Sequence, residues 1–344
     1  MTTLKIGKKN IGTDCKPFII CELGINHGGS LKLAKKMVDL AFKAGADAIK
    51  NQLHILEHEM IDEAKKTIPT NTNKSIYQVI EENLMSFGDE MKLKSYVEKK
   101  GMTYLCTPFS LEAAKKLNSI GIKAFKIGSG EFNNLPLIAE IIKFKKPIIL
   151  STGMNDLKSI INTVKFLKKK KAKFALLHCK SEYPADIKNL KLDFIGVLKK
   201  RFRNVVIGYS DHTKGVIASI SAMAKGAQII EKHFTDIKNR IGPDIICSMD
   251  PKELSFLSDS AKVIHLSNGK NKKISHIERK TAKFAFSSVV SIKDIKKGET
   301  LSLKNVWVKR PGTGYHPANK LNSLIGKKAK KDIIINSFIK KNDT

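Results

Sequence analysis

Residues 124–134 read AFKIGSGEFNN, and the reading of this stretch decides the fold. An apolar strand (Phe125, Ile127) runs into Gly-Ser-Gly, so Lys126, Ser129 and Glu131 crowd the exit of one strand. A lysine, a hydroxyl and backbone N–H groups freed by glycine are what a phosphate requires. A carboxylate two residues beyond the serine is placed to move a proton. Taken alone, the stretch reads as a strand ending in an ordinary turn. Its repetition along the chain changes that reading.

Working outward, three similar runs precede it: Phe18–Gly24 (FIICELG), Ala48–Leu53 (AIKNQL) and Thr103–Pro108 (TYLCTP). Four follow: Pro147–Thr152 (PIILST), Phe174–Cys179 (FALLHC), Val205–Ser210 (VVIGYS) and Gln228–Phe234 (QIIEKHF). Amphipathic segments such as Leu31–Ala44, Ser110–Ser119, Leu157–Lys170 and Gly215–Lys225 lie between them, and a helix from Lys252 to about Leu266 follows the last. Nearly all-apolar strands alternating with helices imply a parallel sheet covered on both faces. Eight repeats imply closure into a (β/α)8 barrel. The alternative, an open doubly wound sheet, gathers its functional residues at one switch point.

The polar residues here do not gather at one point. They cluster at the C-terminal ends of many runs: Glu22 at the first, Lys50 and Gln52 at the second, Thr107 at the third. Lys126, Ser129 and Glu131 end the fourth, Ser151 the fifth; His178 and Tyr183 follow the sixth. Ser210, Asp211 and His212 mark the seventh, Glu231 and His233 the eighth. In a barrel these ends meet at one mouth, where such folds keep their chemistry. One insertion, Ile55–Asn73, is too long for an ordinary βα loop and reads as a lid or substrate-contacting segment.

Residues 267–283 (SNGKNKKISHIERKTAK) have few apolar side chains and read as a linker between a 1–266 barrel and a small domain over 284–344. In that domain Phe284–Ser291 and Val306–Lys309 are β-like, with turn signals at Gly298, Pro311-Gly312 and Gly326.

The formal net charge of +31 is the most conspicuous bulk property of the 344 residues. Nearly all of it is lysine; the arginines are Arg201, Arg203, Arg240, Arg279 and Arg310. Sequence-reading nucleic-acid sites enrich arginine and aromatics, so scattered lysines read as a solvated surface that draws in anionic substrates. No specific nucleic acid is expected, although a basic binder of nucleic acid or anionic glycan stays as the non-enzymatic alternative, with affinity that collapses in salt. No apolar run reaches membrane-span length and the N-terminus lacks a signal-type apolar segment, so a cytoplasmic, membrane-free protein is the default. Five widely spaced cysteines without CxxC pairs form no disulfide framework or zinc knuckle. Cys21, Cys106 and Cys179 read as small buried hydrophobes.

Lys50, Lys126, Thr107, Ser129, Ser151 and Ser210 are suited to surround an anionic phosphate; otherwise the lysines are structural partners of Glu22 or Glu131. His212 and His233 end neighbouring strands. They read either as two ligands of a divalent metal with open positions for water and substrate, or as core histidines or a general base. The string Ser210-Asp211-His212 is not a nucleophilic triad, because adjacent residues on a strand point in different directions. His178 and Cys179 fall on opposite faces by the same alternation.

With these residues in view, the chain closely resembles the sialic acid synthase family. The motifs are ELGINHGGS (Glu22–Ser30), TPFS (Thr107–Ser110), KIGSGEFNN (Lys126–Asn134) and LSTGMN (Leu150–Asn155), then GYSDHT (Gly208–Thr213), EKHFTD (Glu231–Asp236), GPDIICSMD (Gly242–Asp250) and WVKRPG (Trp307–Gly312). So many motifs in one order, from about residue 15 onward, are far more specific than any single one.

The resemblance implies a (β/α)8 TIM barrel followed by a small β-rich antifreeze-like (SAF) domain. It implies condensation of phosphoenolpyruvate with N-acetylmannosamine to N-acetylneuraminate and phosphate, with a divalent metal, manganese first and magnesium or cobalt as alternatives. It implies a homodimer with swapped C-terminal domains. By motif match Lys50, Thr107, Lys126, Ser129, Ser151 and Ser210 hold the enolpyruvate, and His212 and His233 the metal. Glu22 and Glu131 serve proton transfer or positioning; Gln52, Tyr183 and Asp244 line the sugar site; Phe284 and Arg310 reach the sugar in the other subunit.

Three departures stand out. Ser181 replaces the family's usual asparagine at an enolpyruvate contact, with Lys180 beside it. Asn51 and Leu53 flank Gln52 where the sialic acid branch tends to carry His and Thr, which reads as a change on the sugar side. Tyr315 and His316 are atypical after Arg310. A legionaminate, pseudaminate or N-acetylneuraminate 9-phosphate synthase is therefore the alternative within the family.

Overall fold

A computed structural model describes residues 2–69, 72–269 and 271–344. Two antiparallel strands, β1 (Thr3–Ile6) and β2 (Lys9–Gly12), open the chain. Eight parallel strands follow: β3 (Phe18–Glu22), β4 (Ala48–Leu53), β5 (Thr103–Pro108), β6 (Phe125–Ile127), β7 (Ile148–Ser151), β8 (Phe174–Cys179), β9 (Val206–Asp211) and β10 (Ile229–His233). They close in sequence order, β10 pairing β3, into a (β/α)8 TIM barrel.

Side-chain alternation sorts the barrel into two cores. Outward residues such as Ile19, Ile49, Tyr104, Phe125 and Ile207 pack under the surrounding helices. Inward residues Ile20, Ala48, Leu105, Ala124, Ile149, Leu177, Val206 and Ile229 fill the interior. Leu4, Ile6 and Ile11 of the β1–β2 hairpin join this inner cluster, so the hairpin plugs the barrel at its N-terminal end. Several helices start at a polar cap: Ser30, Ser110, Asn134 and Asp156 each accept a backbone N–H of the first turn.

Within the insertion Ile55–Asn73, Leu56–Glu59 forms one helical turn and Asp62–Lys65 a 3-10 turn; Thr70 and Asn71 lie outside the described residues. Among the described residues no helix is long and apolar enough to cross a membrane.

The chain divides into two compact units, Met1–Asn268 and Gly269–Thr344. The linker reading of 267–283 needs correction. His276–Ala285 is an α-helix with a capping box between Ser275 and Glu278, and it belongs to the second unit. Phe284 and Ala285 end this helix, so the β-like reading of 284–291 holds only for β11 (Ser288–Ser291), which pairs with β12 (Val306–Lys309). Val289, Ile295, Leu301, Val306, Leu324 and Ile339 form that unit's own core.

Candidate active site

Two residues beyond each inward apolar position, the barrel interior turns polar. Ile20 is followed inward by Glu22, Ala48 by Lys50, Leu105 by Thr107, Ala124 by Lys126, Ile149 by Ser151 and Ile229 by Glu231. Leu177 leads in the same way to Cys179, and Gly208 to Ser210. One polar or thiol side chain per strand thus forms a closed ring directly above the hydrophobic plug.

The ring is tightly paired. Lys50 is ion-paired with Glu22, donates to Thr107 Oγ1 at 3.2 Å, and lies 4.0 Å from Glu231 Oε2. Lys126 Nζ donates to Ser151 Oγ at 2.8 Å and lies 3.4 Å from Glu231 Oε1, which also accepts from Ser210 Oγ at 3.0 Å. Burial alone would raise the Glu231 carboxyl, but Lys126 and Lys50 overcome it and hold it at about 2. Burial pulls the Lys126 ammonium below its ordinary value; it does the same to Lys50, where Glu22 and Glu231 reverse it. Glu231, not Glu131, is the counter-charge of Lys126. Sequence reasoning placed Glu231 at a strand end without giving it a role; the signal was its position inside the EKHFTD motif, two residues before His233.

One step further out along the same strands stand Gln52, His212 and His233. Gln52 donates to Glu22 Oε1 at 2.9 Å, and its carbonyl side meets His54 Nε2 at 3.2 Å. The His212 and His233 rings lie 5.6 Å apart, with Tyr183 stacked on His212 at 4.1 Å. His212 Nδ1 meets the Lys180 carbonyl at 2.9 Å, which leaves Nε2 free. His233 Nδ1 is buried without a hydrogen-bond partner, 3.6 Å from Asp244, and burial holds this imidazole neutral down to about 3. Asp244 is pushed up to about 6 by burial. Burial would lower the His212 imidazole, but the Cys179 thiol and the Lys180 carbonyl hold it above its ordinary value, whereas His233 is kept neutral. Two imidazoles, each with a ring nitrogen unclaimed, still fit a divalent cation with open positions. No cluster of three or more His, Cys, Asp or Glu ligands occurs among the described residues.

At the rim, Gly153 N donates to Ser129 Oγ at 3.1 Å. A Cβ on Gly153 would overlap Ser181 Oγ and sit 2.7 Å from Ser129 Oγ, so the missing side chain leaves a cradle between two hydroxyls. Ser181 is thereby brought to Ser129, whereas Lys180 turns away to pair with Glu182 at 2.9 Å. Glu131 is half-buried at the rim and accepts from Asn134 Nδ2 at 2.6 Å; among the described residues no ion pair ties it down. Ser181, Tyr183, Asp244, Glu182 and Asp186 line a cavity of about 510 Å³.

Several polar residues face the other way. Asp211 points outward and is ion-paired with Lys232 at 3.2 Å. His178 Nε2 donates to the Leu190 carbonyl, 2.7 Å away in the outer wall. Asn51 and Leu53, read as changes on the sugar side, also lie on the outer face of β4: Asn51 meets Glu90 and His27, and Leu53 packs in the outer core. Odd-numbered positions of β4 cannot reach the mouth. Cys179 differs from its hydrophobic reading, facing inward with its sulfur 3.9 Å from His212 Nδ1. In the second unit, Phe284 and Arg310 are exposed, and Tyr315 packs edge-on against His316.

Residues 37–273 match the model of the NeuB family, and residues 286–343 that of the SAF domain. The chain belongs to the NeuB family. The N,N'-diacetyllegionaminic acid synthase of Campylobacter jejuni is 40% identical to it over 92% of this chain and 97% of that one. A pseudaminic acid synthase from the same species is 34% identical over 97% and 98%. The crystal structure of an N-acetylneuraminic acid (sialic acid) synthetase from Leptospira borgpetersenii, in complex with citrate, superposes with a TM-score of 0.73 at 33% identity, over 81% of this chain and 95% of that one. This NeuB-family chain is therefore similar along most of its length to synthases named for legionaminic, pseudaminic and N-acetylneuraminic acids.

Proposed function

We propose that this NeuB-family protein condenses phosphoenolpyruvate with an unphosphorylated, N-acetylated amino-sugar, releasing phosphate and a nine-carbon keto-acid. The observation that carries the reading is the buried ring of two lysines and three hydroxyls at the closed end of the barrel, with the Ser129–Gly153–Ser181 cradle at its edge. Lys50, Lys126, Thr107, Ser129, Ser151 and Ser210 bind the enolpyruvate carboxylate and phosphate by charge-assisted hydrogen bonds. Its charge takes over part of the work of Glu22 and Glu231 towards the lysines.

The enol carbon attacks the sugar aldehyde, positive charge develops at C2, water adds there, and phosphate leaves by C–O cleavage. Glu131 takes the proton of that water. Glu22 and Glu231 are tied to lysines and are poor bases; Glu131 carries no such partner. Gln52, Tyr183 and Asp244 orient the sugar. His212 and His233 would hold a divalent cation, manganese in this reading, with magnesium or cobalt as alternatives. When bound, it would polarise the aldehyde as a Lewis acid. Phe284 and Arg310 would come from the partner subunit of a domain-swapped homodimer.

For the sugar, the reading favours a 2,4-diacetamido substrate of the legionaminate type over N-acetylmannosamine, on the 40% identity to the legionaminic relative. A phosphorylated sugar fits less well. Among the described residues, the cavity beside Tyr183 is lined by Asp186, Asp244 and Glu182, the last paired with Lys180, so its wall carries no unpaired cation to receive a phosphate. The test is phosphate release from phosphoenolpyruvate with manganese, offering 2,4-diacetamido sugars, N-acetylmannosamine and its 6-phosphate side by side. Release with a diacetamido sugar is expected. Release with N-acetylmannosamine alone would move the specificity to the sialic acid branch, and release with none would overturn the reading.

A further inference from the structure

Glu90 lies on the helix Phe87–Lys99, 1% exposed, and the ring just described does not use it. Alone among the buried carboxylates of the described residues, it has neither an ion-pair partner nor a helix to cap. Burial without a cation is costly, and it pushes this carboxyl up to about 7.

The donors around Glu90 form a directed chain. Asn51 Nδ2 on β4 donates to Glu90 Oε2 at 2.7 Å. From β5, the Tyr104 hydroxyl and the Cys106 thiol (3.3 Å) both donate to Oε1. Asn51 Oδ1 accepts from His27 Nε2 at 3.1 Å, and His27 Nδ1 accepts from Gly29 N at 3.0 Å. Each proton has one place: His27 must carry its hydrogen on Nε2, and the Asn51 amide must point its nitrogen at Glu90. Fully satisfied buried networks of this kind fix one geometry.

What the chain fixes is functional. Asn51 sits between Lys50 and Gln52, and Leu23 N bonds to the Lys50 carbonyl at 2.8 Å. The loop held by His27 includes Gly24, a left-handed glycine (φ 52) whose Cβ position lies 3.3 Å from both Glu22 Oε1 and His233 Cε1. Any shift of that loop, or roll of β4, moves Lys50, Gln52 and Glu22 together.

We infer that Glu90, through Asn51 and His27, is a positioning residue that sets β4 and the Leu23–Ser30 loop for enolpyruvate binding. The inference rests on the proposed function for its catalytic consequence, but not for its structural one. Asn51→Asp removes the donor to Glu90 and sets two carboxylates face to face. Adding Glu90→Gln to it restores the pattern with the groups exchanged: the amide at position 90 donates to the carboxylate at 51, which still accepts from His27.

The experiment measures two quantities on full-length protein: amide hydrogen exchange over residues 23–30 and 48–53, and the steady-state constants for phosphoenolpyruvate. Asn51→Asp should speed exchange in those segments and raise KM for phosphoenolpyruvate about tenfold, the equivalent of roughly 1.4 kcal/mol, with kcat changing much less. The double variant should recover both. A double variant as impaired as Asn51→Asp, or unchanged exchange in Asn51→Asp, overturns the inference. So does altered exchange with unaltered KM. Should Asn51→Asp not fold, Glu90→Leu against Glu90→Gln gives the same comparison, since glutamine still accepts from Asn51. Wild-type protein that binds no phosphoenolpyruvate would sink the proposed function, while the exchange data would still decide the anchor.

Discussion

Replacing Glu231 by glutamine removes one of the two carboxylates that balance Lys50 and Lys126. Lys126 lies 3.4 Å and Lys50 4.0 Å from that carboxylate, and all three groups are buried. Removing one partner of a buried pair costs about 3–5 kcal/mol, because the other charge is left uncompensated. Protonation sets a ceiling of similar size: a lysine of ordinary pKa sheds its proton at pH 7 for roughly 4.6 kcal/mol. At about 2–4 °C per kcal/mol for a domain of this size, melting should fall by roughly 6–18 °C.

The loss also has a sign in pH. Burial already holds Lys126 below its ordinary value, and losing Glu231 lowers it further. Between that depressed value and about 10.4, the unfolded chain binds more protons than the folded one, so stability of the variant rises with pH. The gap to wild type therefore narrows from neutral pH towards pH 10. Phosphoenolpyruvate should stabilise the variant more than the wild type, since its charge stands in for the missing carboxylate. Scanning calorimetry of both proteins across that pH range, with and without phosphoenolpyruvate, reads all three effects. A melting point within about 2 °C of wild type at neutral pH would refute the counter-charge argument, because less than ~1 kcal/mol would then be at stake.

Glu131→Gln should abolish phosphate release while calorimetry still records phosphoenolpyruvate binding; a near-normal rate would assign the water's proton elsewhere. Gly153→Ala fills the cradle between Ser129 and Ser181, and should weaken phosphoenolpyruvate binding by about tenfold, or ~1.4 kcal/mol, with little change in melting temperature. On the proposed metal site, manganese should raise the melting temperature of the wild type, and His212→Ala and His233→Ala should each erase that shift along with metal-dependent turnover. A chain ending at Asn268 should melt cooperatively as a barrel yet lose most turnover, for want of Arg310; full activity would exclude the swapped-domain role.

The barrel was legible because each strand is a short apolar run ending in polar residues, and a period of two places those residues on known faces. Applied residue by residue, the same period puts Asn51 and Asp211 outside and Cys179 inside; grouping residues by sequence proximity obscured this. The β1–β2 hairpin was missed because its few apolar residues, Leu4, Ile6 and Ile11, are diluted by lysines and only become a core when the barrel supplies the other side. The helix His276–Ala285 was hidden by its lysines, although Ser275 and Glu278 already spelled a capping box. Ion-pair partners were not legible. Glu22, Glu131 and Glu231 look alike as sequence, and only barrel closure, which sets β10 beside β3, chooses between them.

The hairpin under the barrel has a consequence for traffic. A tube sealed at one end is a stack: what enters last must leave first. In the proposed reaction, phosphoenolpyruvate bound at the depth of Lys126 would load before a sugar seated above it near Tyr183. A sugar that arrives early is a stopper, so excess sugar should inhibit competitively against phosphoenolpyruvate. In the same reading, phosphate released at that depth should depart after the sugar acid, which product-inhibition patterns would report.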